Sequence, residues 1–397
     1  MNILLLTQRV PAAPDRGDRI RAYHLLKEMS RFARVSLFSF AHDAAEHALA
    51  AHVPFATRVE AVRVDRMWNA VRGAAMLGSR RPLTHCLLDA TDATRRLAAL
   101  AAAHPPDVIV AYCSGMARLA VDGPLAGRPL VLDMVDVDSA KWTDFARATA
   151  PPRNWIYARE ASTLRAFEAR AIRIAHATLV VNERERRTLL EIVPEGRVIT
   201  VPNGLDSAAL VPQAPPSLEP TVIFCGVMDY LPNVEAVRWF VKRSWSLVRQ
   251  RVPEARFLIV GARPSRAVRD LAHRDPSVQV TGSVDAVQPY LWRSAVSVAP
   301  IMLARGVQNK VLEALAAGLP TVITEAVAQG LPAVALPGCE VRESAESFAE
   351  AVVTLLQMTP EERRRRAGAA SLDTLSWSET LRPVESILHS AVRSHAA

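Results

Sequence analysis

The sequence predicts two consecutive α/β units, each built on a doubly wound parallel sheet. Three observations carry that prediction. Short β-rich runs alternate with stretches of helical period along the chain, the pattern of βαβ units. Several of those runs are continuous and apolar, Val108-Ile109-Val110 among them, as strands buried on both faces must be. The alternation stops once, at 212–220 (PQAPPSLEP), where four prolines in nine residues predict an extended linker, and then it restarts. The length of 397 residues agrees with two domains of roughly 150 residues or more each.

Taken in order, strands are predicted at 2–7, 34–40, 59–64, 107–112, 129–135, 177–181 and 198–201, with helical period at 20–31, 91–103 and 154–175. After the linker, strands are predicted at 221–225, 256–260, 278–281, 294–299 and 320–324. Helices are predicted there at 233–250, 265–273, 286–293, 308–317, 345–357 and 360–375, and the segment 377–393 is helical in pattern. Open sheets of this kind bind ligands at the carboxyl ends of their strands, at the topological switch point. Two such edges suit an enzyme that joins two substrates.

Composition narrows the classes. Half the residues are hydrophobic and 22% are charged, which excludes a disordered, collagenous or coiled-coil chain. No apolar run approaches the ~18 residues of a membrane span. The apolar run at 3–6 has no basic residue before it, so it reads as a strand and not a signal peptide, and a cytoplasmic protein is expected. Cys86, Cys113, Cys225 and Cys339 lie far apart, and none of the ten histidines shows metal spacing. No metal site is expected. The net charge is +8, but only four of the 48 cations are lysines (Lys27, Lys141, Lys242, Lys310) and the arginines are spread along the chain. That argues against nucleic acid and for anionic small molecules or an anionic membrane leaflet.

The strongest chemical signal is the stretch from Gly306 to Val322, GVQNKVLEALAAGLPTV. A glycine followed by a helix starting near Gln308 presents free backbone N–H groups to a phosphate. Lys310 adds a point charge, and Glu313, three residues on and so on the same helix face, suits the two hydroxyls of a ribose. A surface Lys–Glu pair is the plainer alternative. In the first unit, the loop 9–21 carries Gly17 for close backbone approach and Asp18 as a helix cap, with Arg19 and Arg21 as candidate phosphate contacts. Asp133, Asp136 and Asp138 crowd the end of the strand 129–135. Asp136 is the first choice among them for a substrate contact, and Asp138 the second. A metal site and a helix cap at Asp138-Ser139 compete with that reading.

Two further segments are legible. The charges of 154–175 (Arg159, Glu160, Arg165, Glu168, Arg170, with Tyr157) read as a solvated long helix. In 63–81, basic residues mix with Met67, Trp68, Val71 and Met76, which reads equally as a membrane-surface element or as a core helix with a basic outer face.

The stretch from Gly306 resembles the donor-nucleotide motif of the family 4 retaining glycosyltransferases. Val201-Pro202-Asn203-Gly204-Leu205-Asp206 resembles the signature closing that family's first domain. The segments 224–233 (FCGVMDYLPN), 257–261 (FLIVG) and 280–282 (VTG) resemble its next strand ends. The likeness covers essentially the whole chain. It is nearest to the sugar transferases associated with exopolysaccharide clusters and the PEP-CTERM system.

The resemblance implies the GT-B fold: two Rossmann-like domains facing each other across a cleft. The domains are expected at 1–205, on the acceptor side, and 206–376, on the donor side, with a C-terminal helix (377–397) packing back on the first. It implies transfer of a sugar from a nucleotide-sugar donor to a hydroxyl of a lipid-linked glycan acceptor, with retention and with no metal or other cofactor. Gly17, Gly226, Gly306, Asn309, Lys310 and Glu313 would bind the donor, and Asp18, Arg19 and Arg21 would lie on the acceptor side. Asp136, Asp138, Lys310 and Arg305 would serve the reaction. The sequence departs from the family at Arg305, where the first of two glutamates is usual, and at Val135, where many members have histidine. A non-catalytic nucleotide-sugar-binding subunit and a UDP-sugar 2-epimerase on the same fold are the alternatives. Peripheral attachment to the inner face of the plasma membrane is the further expectation.

Overall fold

A computed structural model describes residues 1–14, 17–213, 215 and 217–396, apart from the side chains at 17, 18 and 396. The chain divides into two compact units, Met1–Asn203 with Ser378–Ala397, and Gly204–Trp377. The first holds a parallel sheet of β1 (Asn2–Thr7), β2 (Arg34–Ala41), β3 (Arg58–Arg63), β4 (Val108–Tyr112), β5 (Leu130–Val135), β6 (Ala177–Val180) and β7 (Val198–Thr200). Their order is β3-β2-β1-β4-β5-β6-β7. The second holds β8 (Thr221–Cys225), β9 (Arg256–Val260), β10 (Val278–Val280), β11 (Val296–Ala299), β12 (Thr321–Ile323) and β13 (Cys339–Val341), in the order β10-β9-β8-β11-β12-β13. Every described pairing is parallel.

Both orders reverse once, between β1 and β4 in the first unit and between β8 and β11 in the second. Those two points are where a doubly wound sheet opens a crevice for ligands. The central strands are apolar along their whole length because helices cover both faces. All five residues of β4 and all four of β11 are buried. β1 is held on both sides, with Leu4 opposite Ser36 of β2 and Ile109 of β4.

The C-terminal helix Pro383–Ala396 belongs to the first unit, where it touches β4 and β5 and buries Val384, Ile387, Leu388 and Ala391. Proline at position 383 separates it from the short helix Trp377–Leu381. The predicted helix 360–375 stops at Ala367, and 286–293 shortens to Gln288–Trp292. Strand β13 was not expected; three residues leave little periodicity to read.

The helix Arg153–Ile174 corrects the expectation of a solvated surface helix. Glu160, Leu164, Phe167, Glu168 and Ala171 form one buried stripe at helical spacing. The Glu160 carboxylate accepts from the backbone N–H groups of Leu83 (2.7 Å) and Thr84 (2.8 Å), at the start of the helix Leu83–Leu87. Glu168 accepts from the Ser139 N–H (3.0 Å) and hydroxyl, at the start of the helix Asp138–Ala148. Each buried acid therefore satisfies donors that a helix N-terminus leaves open.

Segment 63–81 is not a core helix with a purely basic outer face. Its helix, Arg66–Ala75, is capped by Asp65 and turns Asn69 and Gly73 inward. Met67 (81% exposed), Trp68 (58%) and Val71 (60%) face outward, so the outer surface is apolar as well as basic. Arg72 and Arg81 both pair with Asp89, at 3.4 and 3.2 Å, and are less available to a partner than the sequence suggested.

Candidate active site

In the second unit, the predicted donor residues gather at the switch point. Gly226 follows β8, and a Cβ there would stand 2.7 Å from the Asn233 Nδ2 and 3.1 Å from the Lys310 Nζ. Gly261 follows β9 with φ +155°, and a Cβ on it would run into the Gly226 carbonyl oxygen. Two glycines let adjacent strand ends close up where side chains would hold them apart. Gly306 takes φ +66° in the loop after β11. The helix that follows, Asn309–Ala316, has Gln308 at its cap position, and the Gln308 side chain makes no cap hydrogen bond. Gln308 instead donates its side-chain N–H to the Arg305 carbonyl at 3.1 Å.

Lys310 is pinned rather than free. Its Nζ donates to Asn233 Oδ1 at 2.6 Å and sits 4.5 Å from the centroid of the Phe224 ring. Asn233 is itself fixed, donating from Nδ2 to the Val227 carbonyl at 2.9 Å. Burial pulls the ammonium down to about 8, against the opposing pull of Cys225 and Glu313. Glu313 is half-buried, and burial raises its carboxyl while Lys310 opposes. Asn233 was quoted within a motif but not singled out. Its signal was position, at the start of the helix Leu231–Phe240 beside a proline.

In the first unit, Asp136 follows the end of β5. Val135 precedes it at φ +64°, an outlier for a β-branched residue. Asp136 is half-buried with its Oδ1 fully covered and without a hydrogen-bond partner. Burial, then Glu185, pushes its carboxyl up to about 7 against the pull of Lys141, so it holds its proton far longer than an exposed aspartate. Asp138 accepts from the Ser114 hydroxyl at 2.6 Å and lies 3.9 Å from Lys141. The cap position of its helix is Val137, so Asp138 is in the first turn and not the cap. Among the described residues no group of three or more His, Cys, Asp or Glu could hold a metal ion.

The basic residues of the first loop are placed differently from expectation. Arg21 is buried, pairs with Asp133 at 2.8 Å, and donates to the Pro202 carbonyl and Asn203 Oδ1. It ties the unit's first helix to its last loop, and its Nη2 is covered with no hydrogen-bond partner among the described residues. Arg19 is likewise buried and pairs with Glu46 at 3.1 Å. The helix starts at Gly17, so Asp18 falls inside its first turn. The side chains of Gly17 and Asp18 lie outside the described residues.

Two family models match the chain. Residues 16–204 match a glycosyl transferase 4-like domain, and residues 219–358 match the glycosyl transferases group 1 domain. The chain is a glycosyltransferase. Its first unit carries the family's 4-like domain and its second the group 1 domain, and two parallel-sheet Rossmann-like units make it a GT-B protein. No protein of curated function matches the sequence. Among solved structures, it is similar to the sucrose-phosphate synthase of Thermosynechococcus elongatus, at TM-score 0.71 and 15% identity, over 99% of this chain and 100% of that one. It is also similar to HepE of Anabaena in complex with UDP and glucose, at TM-score 0.66 and 16% identity, over 98% and 100%. The α,α-trehalose 6-phosphate synthase of Burkholderia multivorans aligns at TM-score 0.66 and 14% identity, over 100% and 99%.

Proposed function

We propose that this glycosyltransferase moves a hexose or similar sugar from a nucleoside-diphosphate sugar to a hydroxyl of a growing, lipid-linked exopolysaccharide precursor. Transfer retains the anomeric configuration and uses no metal or other cofactor. The observation that carries the donor assignment is the group of Lys310, Asn233 and Glu313 at the β8/β11 switch point. Glu313 makes no hydrogen bond to a described residue, so its half-buried carboxylate is available to a ribose diol. A cation held by Asn233 and Phe224 is pre-positioned for charge that grows on a departing diphosphate. Arg305, Gly306 and Asn309 at the adjoining helix start add donors of the same sign. The structural likeness to HepE, solved with UDP and glucose, supports a donor of that class.

On the acceptor side, Asp136 is the group assigned to orient the incoming hydroxyl, with Asp138 second because Ser114 already engages it. Gly17 and Asp18 complete the loop assigned to the substrates. Arg19 and Arg21 act there through the carboxylates they hold and not as direct contacts. The enzyme works at the inner face of the plasma membrane as a peripheral protein. No helix among the described residues is long and apolar enough to cross a membrane. Met67, Trp68 and Val71 with the exposed Arg63 and Arg66 offer an interfacial surface.

The test is thermal stabilisation by UDP, GDP and ADP, followed by sugar-nucleotide turnover with and without lipid extract. A nucleoside diphosphate bound at a hundredfold over its Kd stabilises the fold by about 2.7 kcal/mol. No shift with any of the three removes the donor assignment. A shift with no turnover in the presence of lipid supports a binding subunit.

A further inference from the structure

The first unit contains a second cavity of about 540 Å³ that the donor and acceptor assignments leave unused. It lies among helices, between the segment Arg80–Pro82, the helix Leu83–Leu87, the end of Ser114–Val121 and the helix Arg153–Ile174. Four arginines line it, Arg80, Arg81, Arg118 and Arg170, against one lining acid, Asp122. Asp122 is already paired with Arg170. Behind the wall a single carboxylate, Asp89, is shared by Arg72, Arg81 and Arg118. Arg80 forms no ion pair with any described residue. The wall therefore carries more cations than the protein neutralises.

Two polar groups in this wall are buried without partners. His85 is 3% exposed, its ring stands edge-on to Phe167 at 4.5 Å, and its Nε2 is covered with no hydrogen bond. The Arg118 Nε is covered and unpartnered as well. Burial first, then Arg118, Arg81 and Arg170, push His85 down to about 3, so the ring is neutral at ordinary pH and adds no charge to the wall. The hydroxyls of Thr94 and Thr163 also line the space, and Phe167 gives it an apolar side.

We propose that this cavity binds a phosphoryl-bearing anion, the phosphate seated among the four arginines and its organic part against Phe167. Guanidinium groups offer paired donors that match the multiple acceptor oxygens of a phosphate through charge-assisted hydrogen bonds, and the excess of cations in this wall favours an anion. The volume exceeds what inorganic phosphate alone fills and lies in the ordinary range for a small organic ligand. Two sources share this chemistry, a soluble phosphate monoester and the headgroup of an anionic phospholipid. Arg159 holds the rim by donating to the carbonyls of Leu77 (2.8 Å), Met76 (3.1 Å) and Arg81 (2.9 Å). Met76, Leu77 and Trp155 are exposed beside it, so a lipid whose headgroup entered here would have apolar surface near its chains.

The inference does not rest on sugar transfer, and its test keeps the two apart. Glycerol 3-phosphate is titrated calorimetrically into wild type and into an Arg80→Gln/Arg170→Gln variant, and both proteins are sedimented with phosphatidic acid and with phosphatidylcholine vesicles. Both substitutions sit at the exposed rim. UDP stabilisation, read in parallel, should be unchanged. The expected result is binding by wild type and at least a tenfold loss in the variant. Binding of glycerol 3-phosphate without phosphatidic acid vesicles identifies a soluble ester. Arginine-dependent binding of phosphatidic acid but not phosphatidylcholine vesicles identifies a headgroup. If wild type binds neither probe, or the variant binds both as tightly, the proposal is overturned. Should the double variant fold poorly, Arg80→Gln alone carries the same comparison.

Discussion

Replacing Asp136 by asparagine should stabilise the protein, and more so as pH rises. The carboxyl has an ordinary value of 3.8 and is pushed up to about 7 in the fold, mainly by burial and then by Glu185. A raised folded-state value means the folded protein holds this proton more tightly than the unfolded chain. The resulting stability is fully present below about 3.8 and is lost as pH rises through about 7. Asparagine keeps the shape and never ionises, so the variant escapes that loss. With 1.36 kcal/mol per pH unit, the wild-type penalty is about 2 kcal/mol at pH 5 and about 4 kcal/mol at pH 8, as an upper scale. Glu168, also pushed up to about 7, titrates in both proteins and cancels from the difference. Urea unfolding midpoints of the two proteins at pH 5 and pH 8 measure the gap, which should widen by about 2 kcal/mol or somewhat more. A gap of constant size, or a variant less stable than wild type at pH 8, would refute a buried, proton-holding carboxyl at this position. Activity should fall in the variant at both pH values if Asp136 orients the acceptor.

Glu313→Ala should weaken nucleoside diphosphate binding with little change in stability, because the carboxylate has no hydrogen-bond partner among the described residues to lose. Two charge-assisted hydrogen bonds at about 1.5–3 kcal/mol each set the upper scale, and undiminished affinity removes Glu313 from the site. Turnover should persist in EDTA; complete loss, restored by Mg²⁺ or Mn²⁺, would turn Asp133, Asp136 and Asp138 into candidate metal ligands. Glu160→Ala should cost about 3 kcal/mol in a urea midpoint, since it strands buried donors at Leu83 and Thr84, and a loss under 1 kcal/mol would mean water replaces the carboxylate. Wild type should sediment with anionic vesicles at low salt and be released by high salt. An Arg63→Glu/Arg66→Glu variant that pellets equally well would exclude this surface as the contact.

What the sequence determined by itself was the architecture and the local grouping of Gly306, Lys310 and Glu313. Apolar runs of strand length spaced by helical stretches have few solutions other than parallel sheets covered on both faces, and the proline-rich break at 212–220 shows the pattern beginning again. Gly306, Lys310 and Glu313 were legible because they lie within one local stretch, where spacing along a helix decides which side chains share a face. The tertiary structure alone decided what meets what across long sequence distances. Arg21 looked like a phosphate contact until its partner 112 residues away, Asp133, took up its guanidinium. Asn233 gained a role only when folding brought it to Lys310, 77 residues on. Glu160 and Glu168 looked solvated because charge argues for the surface, yet they cap helices whose starts lie 29 to 77 residues away. Periodicity records which face of an element is apolar, since that is a local property of the chain. A buried charge is admitted only where a distant partner satisfies it, and no local pattern encodes that partner.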